Sequence, residues 1–227
     1  MKVSKIGEQF NFSNDFYVSV KNKGDSIKFR IANDPVYEGK HFLMTKEGAW
    51  DVRLCPRINS DNGEECELCN KYFEIIGAAK KYKDIDKDKY EKLRKKARNY
   101  NVSIQFYFPI VNRELEKFQI LRTTKGVKDK IDRDYLSGVD VTKVDWVLTN
   151  TGSKSPRDLY SITRLDSADT KEFSDKEKEE FKKAQEFDMF SIAEGSQDAQ
   201  YSEEDVVVDD IDEYFDNLIK ESESSKK

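Results

Sequence analysis

The chain has 227 residues, 37% of them apolar and 37% charged, with a net charge of −5. That length suffices for one domain of ordinary size plus an appendage, while the low apolar share predicts a segment that joins no core. No run approaches the ~18 apolar residues of a membrane span and no N-terminal stretch resembles a signal peptide, which predicts a soluble, intracellular protein. The charge is segregated: residues 194–227 carry 12 acidic side chains against 3 lysines, so residues 1–193 are net positive, and residues 71–130 hold 17 Lys and Arg against 8 Asp and Glu. A basic body with an acidic end predicts a polyanionic partner and a segment that competes for the same surface.

Residues 1–23 read as a short N-terminal arm. In "SIKFRIA", Ile27, Phe29 and Ile31 alternate with Lys28 and Arg30, the pattern of a strand with one buried and one cationic face. "HFLMT" and "AWDVRLC" flank "KEG" and predict a hairpin; a turn centred near Gly48 would set His41 opposite Cys55. "CELCNKYFEIIGAAKKY" places Cys69, Tyr72, Phe73, Ile76 and Ala79 at helical spacing, and a second helix is predicted over "KDKYEKLRKKAR".

"YNVSIQFYFPIV" is the clearest strand: Tyr100, Val102, Ile104, Phe106, Phe108 and Ile110 fall on one parity, and Tyr107 stands among polar residues on the other. "LEKFQILRT", "VDWVLTN" and "DLYSITRL" predict further strands, with helices around "KGVKDKIDRDYL" and "SDKEKEEFKKAQEF". Short strands with interposed helices predict a mainly β fold with α insertions, a small Greek-key barrel like the oligonucleotide-binding (OB) fold. The expected organisation is a core over residues 24–193, containing a metal subdomain at about 41–82, and an acidic flexible tail over 194–227. In that tail Val207, Ile211, Tyr214, Phe215 and Leu218 recur at i, i+4, i+7, i+8 and i+11, which would give an amphipathic acidic helix if a partner groove ordered it.

All three cysteines and the only histidine of the chain lie between positions 41 and 69. His41, Cys55, Cys66 and Cys69 are spaced H-x13-C-x10-C-x2-C, three thiolates and an imidazole, which is a complete tetrahedral shell. A full shell leaves no open position for a catalytic water, so one structural Zn²⁺ is expected, contributing on the order of 10 kcal/mol to folding. Its job would be to pin the hairpin to the helix and close the polar loop "PRINSDNGEE".

The stretch "GDSIKFRIANDPVYEGKHFLMTKEGAWDVRLCPRINSDNGEECELCNKYF" resembles the zinc-containing core of the T-even phage helix-destabilising protein family, the single-stranded DNA-binding proteins of replication, recombination and repair. The likeness lies in the strand before the hairpin, the His, Cys, CxxC order and the Gly-x-aromatic turn before the first Cys. It continues through "YEKLRKKARNYNVSI" and "KFQILRTTKGVKDKI", covering about residues 24–165. The resemblance implies an OB-fold barrel with an intrinsic zinc subdomain, binding of single-stranded DNA without sequence preference, and an acidic tail that recruits phage replication and recombination proteins. It also implies a monomer in the cytoplasm of an infected bacterial host. Family members carry a longer basic N-terminal arm that makes neighbours bind cooperatively; "MKVSKIGEQFNFSNDFY" has no such run, so cooperativity does not carry over.

Apart from any family, single-strand binding needs a cationic track for phosphates and exposed aromatic faces for bases, each stacked base being worth roughly 1–3 kcal/mol. "YEKLRKKARNY" supplies Arg94, Lys95, Lys96 and Arg98 between Tyr90 and Tyr100, and the resemblance places this run in the family's DNA cleft. Lys28, Arg30, Arg122, Lys125 and Lys128 are candidates for a second bank of cations. Tyr82, Tyr90, Tyr100 and Tyr107 are the candidates for stacking, while Phe106 and Phe108, on the apolar parity, belong to the core. No enzyme is expected, since no G-x-x-x-x-G-K-[ST], H-E-x-x-H or G-x-S-x-G run occurs and the sole histidine is committed to metal. The competing readings are a zinc-bearing adaptor or duplex-binding transcription factor, and a carboxylate-based metal nuclease.

Overall fold

The structure, a computed structural model, describes residues 16–44, 50–154, 158–166 and 168–190, with the backbone alone described at Met44 and Trp50. In chain order its strands and helices are β1 (Tyr17–Val18), β2 (Ser26–Ile31), β3 (Val36–Met44), β4 (Trp50–Leu54), α1 (Pro56–Asn59), α2 (Glu67–Lys80), α3 (Lys87–Ala97), β5 (Val102–Asn112), β6 (Lys117–Thr124), α4 (Lys125–Leu136), β7 (Asp145–Asn150), β8 (Tyr160–Arg164) and α5 (Asp175–Glu186). A β-sheet fold with inserted helices is thus present, as the alternation patterns predict. The described residues up to Tyr37 and from Ile104 onward form one compact unit, and Glu38–Ser103 form a second. Among the described residues no helix is long and apolar enough to cross a membrane. The short N-terminal arm lies largely, and the tail positions Val207, Ile211, Tyr214, Phe215 and Leu218 lie wholly, outside the described residues.

In the first unit six strands pair in the order β1-β6-β5-β2-β7-β8. The neighbours are antiparallel except for β1, which runs parallel to β6 through Tyr17↔Ile120 and Val18↔Leu121. The alternation in β2 sends Ile27, Phe29 and Ile31 into one core with Phe106, Phe108, Ile110, Leu121, Trp146, Leu148 and, from α4, Val127 and Ile131. Phe29 and Trp146 are fully buried, and each such side chain contributes roughly 1.5–3 kcal/mol.

Strand β5 is buried on both faces from Phe106 to Asn112. Tyr107 is therefore not a free stacking face: it is 7% exposed, packs with Phe118, Ile120, Ala184 and Met189, and donates its hydroxyl to Gln105 Oε1 at 3.2 Å. Parity separated it from Phe106 and Phe108 correctly, but a second apolar layer covers the other side of the sheet. Helix α5 supplies part of that layer, opened by a Ser174–Glu177 capping box and tied to the sheet where Phe118 N donates to Glu180 Oε2 at 2.8 Å.

A buried ionic cluster also fixes α5. Arg30 is 7% exposed; its Nε donates to Asp145 Oδ1 at 2.8 Å, its Nη2 to the Lys171 carbonyl at 2.8 Å, and its guanidinium lies 4.2 Å from the centre of the Phe173 ring. Arg113 stacks on the same ring and bonds Glu177 Oε1 at 2.6 Å. Asp145 Oδ2 has no aligned hydrogen bond and is held by charge, with Arg113 Nε at 3.2 Å and Lys28 Nζ at 3.5 Å. The alternation that put Lys28 and Arg30 on a cationic face was right, but the face is covered: Arg30 is consumed within the fold rather than free for phosphate, and Lys28 is half-buried against Asp145.

The second unit joins the β3–β4 hairpin to a helical hairpin of α2 and α3. Asp86 caps α3 by accepting Lys89 N at 2.9 Å. Ile75 and Ala79 of α2 pack against Leu93 and Ala97 of α3 and against Tyr100, which sits in a 3-10 turn over Arg98–Tyr100 and not in a strand. At 5% exposure Tyr100 is a core residue, which removes it from the stacking candidates.

Candidate metal centre

The site begins with hairpin register. Strands β3 and β4 pair Lys40↔Leu54, His41↔Arg53 and Phe42↔Val52, so the ladder is centred on residue 47 and His41 faces Arg53, not Cys55. Because side chains alternate with a period of two, a shift of two residues leaves the face unchanged, and His41 and Cys55 remain diagonal neighbours on one side. Cys55 N donates to the Gly39 carbonyl at 2.9 Å, after which the chain leaves the ladder. Pro56 opens α1, a position where its missing N–H costs nothing. Gly63, at φ +62, turns the loop back towards Cys66. Cys66 is the N-cap of α2 and Cys69 lies in its first turn, so both thiols sit at the N-terminal end of that helix.

These elements bring His41, Cys55, Cys66 and Cys69 together, all buried, with ligand atoms within 4.8 Å of one another. Cys55 Sγ lies 3.5 Å from Cys69 Sγ, and His41 Nε2 lies 3.3 Å from Cys66 Sγ and 3.6 Å from Cys69 Sγ. A tetrahedral ion with metal–sulfur bonds of ~2.3 Å and a metal–nitrogen bond of ~2.0 Å requires edges of about 3.5–3.8 Å, and these three separations lie close to that range. They do not fit a disulfide, whose sulfurs would be ~2.05 Å apart, and all three cysteines are free.

Protonation chemistry points the same way. His41 Nδ1 donates to the Tyr100 carbonyl at 3.0 Å, which fixes the tautomer and leaves the Nε2 lone pair facing the thiols. Burial lowers the His41 pKa below its ordinary value, keeping the ring neutral as a ligand must be. Burial, reinforced by hydrogen bonds from Cys55 and Cys66, pushes the Cys69 thiol up to about 12. The Cys69 thiol thus stays protonated unless a cation compensates it, and a divalent ion supplies that charge. With four protein ligands the shell is closed, the arrangement of a structural site.

Of the other anticipated binding residues, the second unit gathers Tyr82, Tyr90, Arg94, Lys95, Lys96 and Arg98 on the α2–α3 hairpin. Lys95 and Arg98 are exposed; Arg94 and Lys96 are half-buried. Tyr82 and Tyr90 are half-buried at the margin of the helical core, with Lys89 Nζ 4.3 Å from the Tyr82 ring and the Arg94 guanidinium 5.3 Å from the Tyr90 ring. In the first unit Arg122 is exposed, while Lys125 and Lys128 are each paired along α4, with Asp129 and Asp132, at 2.6 Å. Reading the sequence missed the Tyr100 carbonyl behind His41, and α1 itself, for which the Cys-Pro pair is the available signal.

No protein-family model, curated protein or solved structure matches the chain.

Proposed function

We propose that the protein is a zinc-containing, non-enzymatic binder of single-stranded nucleic acid, and more particularly a phage single-stranded DNA-binding protein of replication, recombination and repair. Zinc is the ion best suited to three thiolates and one imidazole. The observation that carries the reading is that one compact unit holds both the closed metal shell and a helical hairpin bearing Lys95, Arg98, Arg94 and Lys96 beside Tyr82 and Tyr90. The ion braces a surface with little apolar core of its own, and that surface offers cations for phosphates and aromatic rings for bases. Arg122 in the first unit is a further exposed cation. An OB-like Greek-key barrel is the architecture this reading assigns to the core, on the strength of the resemblance and of the β2 strand that pairs with both β5 and β7.

Such a protein acts by sequestration: it covers unwound strands and disfavours reannealing. The acidic residues of 194–227 would occupy the cationic surface in the absence of DNA and offer Tyr214, Phe215 and Leu218 to replication partners when displaced. Titration of the zinc-loaded chain with oligo-dT of graded length and with duplex DNA, at two salt concentrations, tests the proposal. It requires preference for oligo-dT and steep weakening by salt; a preference for one duplex sequence, or cleavage of the strand with Mg²⁺, would overturn it.

A further inference from the structure

Each ligand of the metal centre needs something to hold it in place. Cys66 and Cys69 are held by α2, and His41 by its strand and the Tyr100 carbonyl. Cys55 stands where the chain leaves β4 for α1, its N–H donating to the Gly39 carbonyl at 2.9 Å and its carbonyl accepting the Ile58 and Asn59 N–H at 3.1 and 3.0 Å. Departure from the ladder also leaves the Gly39 N–H without a strand partner.

The Asn59 carboxamide fills that place. Its Oδ1 accepts Gly39 N at 2.9 Å, and its Nδ2 donates to the Gly39 carbonyl at 2.7 Å and to the Cys55 carbonyl at 2.9 Å. One N–H partner on one side and two carbonyls on the other allow a single orientation of the amide. The side chain thus behaves as one more peptide group of β4, with a contact to the ligand residue added. Gly39 makes the approach possible, since a Cβ there would lie 2.6 Å from Ile58 Cβ. Asn59 is exposed and fills no core, so its truncation opens no cavity.

We propose that Asn59 is a positioning residue for the metal centre, a surrogate strand residue that fixes the chain direction at Cys55 and holds its Sγ towards the other three ligands. The inference rests on reading the four residues as a metal centre. Asn59→Ala removes all three hydrogen bonds; Asn59→Asp keeps an acceptor for Gly39 but has no donor for the two carbonyls. Asn62→Ala, an exposed change in the same loop, is the control.

The test uses the full-length chain loaded with zinc, and in parallel with cobalt. The rate of zinc transfer to a chromogenic chelator, the thiolate-to-cobalt absorption band and the denaturant midpoint of the metal-free protein are measured for each variant. Both Asn59 variants should release zinc roughly 10-fold faster or more and alter the cobalt band, while the Asn62 variant and the metal-free midpoints match the parent. Release at the parental rate from either Asn59 variant overturns the proposal, as does an equal loss of stability with and without metal. If the parent chain itself holds no metal, the reading of the centre falls with it; if the parent holds metal and the variants behave like it, only the role of Asn59 falls.

Discussion

The two units of the molecule are stabilised by different means. The first closes around a continuous apolar cluster that includes Phe29, Phe108 and Trp146, and adds a second layer under α5. The second has a small helical cluster around Ile75 and Leu93, and its other cluster is built on the three cysteines themselves. Hydrophobic burial suffices for the first, whereas a short segment with so little apolar interior needs a staple. Metal dependence should therefore be local.

The change with the largest expected effect sharpens that contrast. Cys69→Ala removes one thiolate and should forfeit most of the ~10 kcal/mol a structural ion provides, so the helical circular dichroism of α2 and α3 is lost. Trp146, followed by fluorescence in a Trp50→Phe background, should keep its buried emission; a shift to solvent-exposed emission would contradict the separation. The reverse experiment is Arg113→Ala. It leaves Asp145 and Glu177 short of a buried partner and should cost about 3–5 kcal/mol in denaturant unfolding monitored at Trp146, with the zinc content unchanged.

Acid separates the units more gently. Because burial lowers the His41 pKa, the unfolded chain binds a proton below the ordinary value of 6.5 that the folded unit does not accept, so stability is present above that pH and declines as pH falls through it. Proton competition for the thiolates acts in the same direction. Metal retention measured from pH 7.5 to 5 should fall, with α2 and α3 lost in step; retention that is flat across this range would break the account. The smallest effect concerns binding: Lys95→Ala with Arg98→Ala should lower the slope of log K against log salt for oligo-dT by about 1.4, from ~0.7 per phosphate contact. Lys125→Ala, where Asp129 already holds the ammonium, should lower it less.

How far the sequence could be read follows from the range over which each signal acts. Local patterns were sufficient for β2, β5, β6, α2, α3 and α5, since a period of two or 3.6 is written into the residues themselves. The metal set was legible because its ligands come from a single hairpin, loop and helix. The hairpin register was not, because a turn over residues that no pattern pins can slide by two without moving a single side chain to the wrong face. Arg30 and Tyr107 show the deeper limit. Alternation assigns a residue to a face, but what covers that face comes from Asp145, Phe173 and α5, far along the chain, and no local pattern announces them. The two-residue strand β1, parallel to β6, is too short to carry any pattern.

The most direct test of the central claim, that an ion held by His41, Cys55, Cys66 and Cys69 builds the unit of Glu38–Ser103, is amide hydrogen exchange of the full chain before and after zinc is chelated. Protection in α2, α3 and the β3–β4 hairpin should vanish on chelation while that of β2, β5, β6 and β7 persists. Protection of α2 and α3 that survives removal of the metal, or a collapse of both units together, would contradict the account.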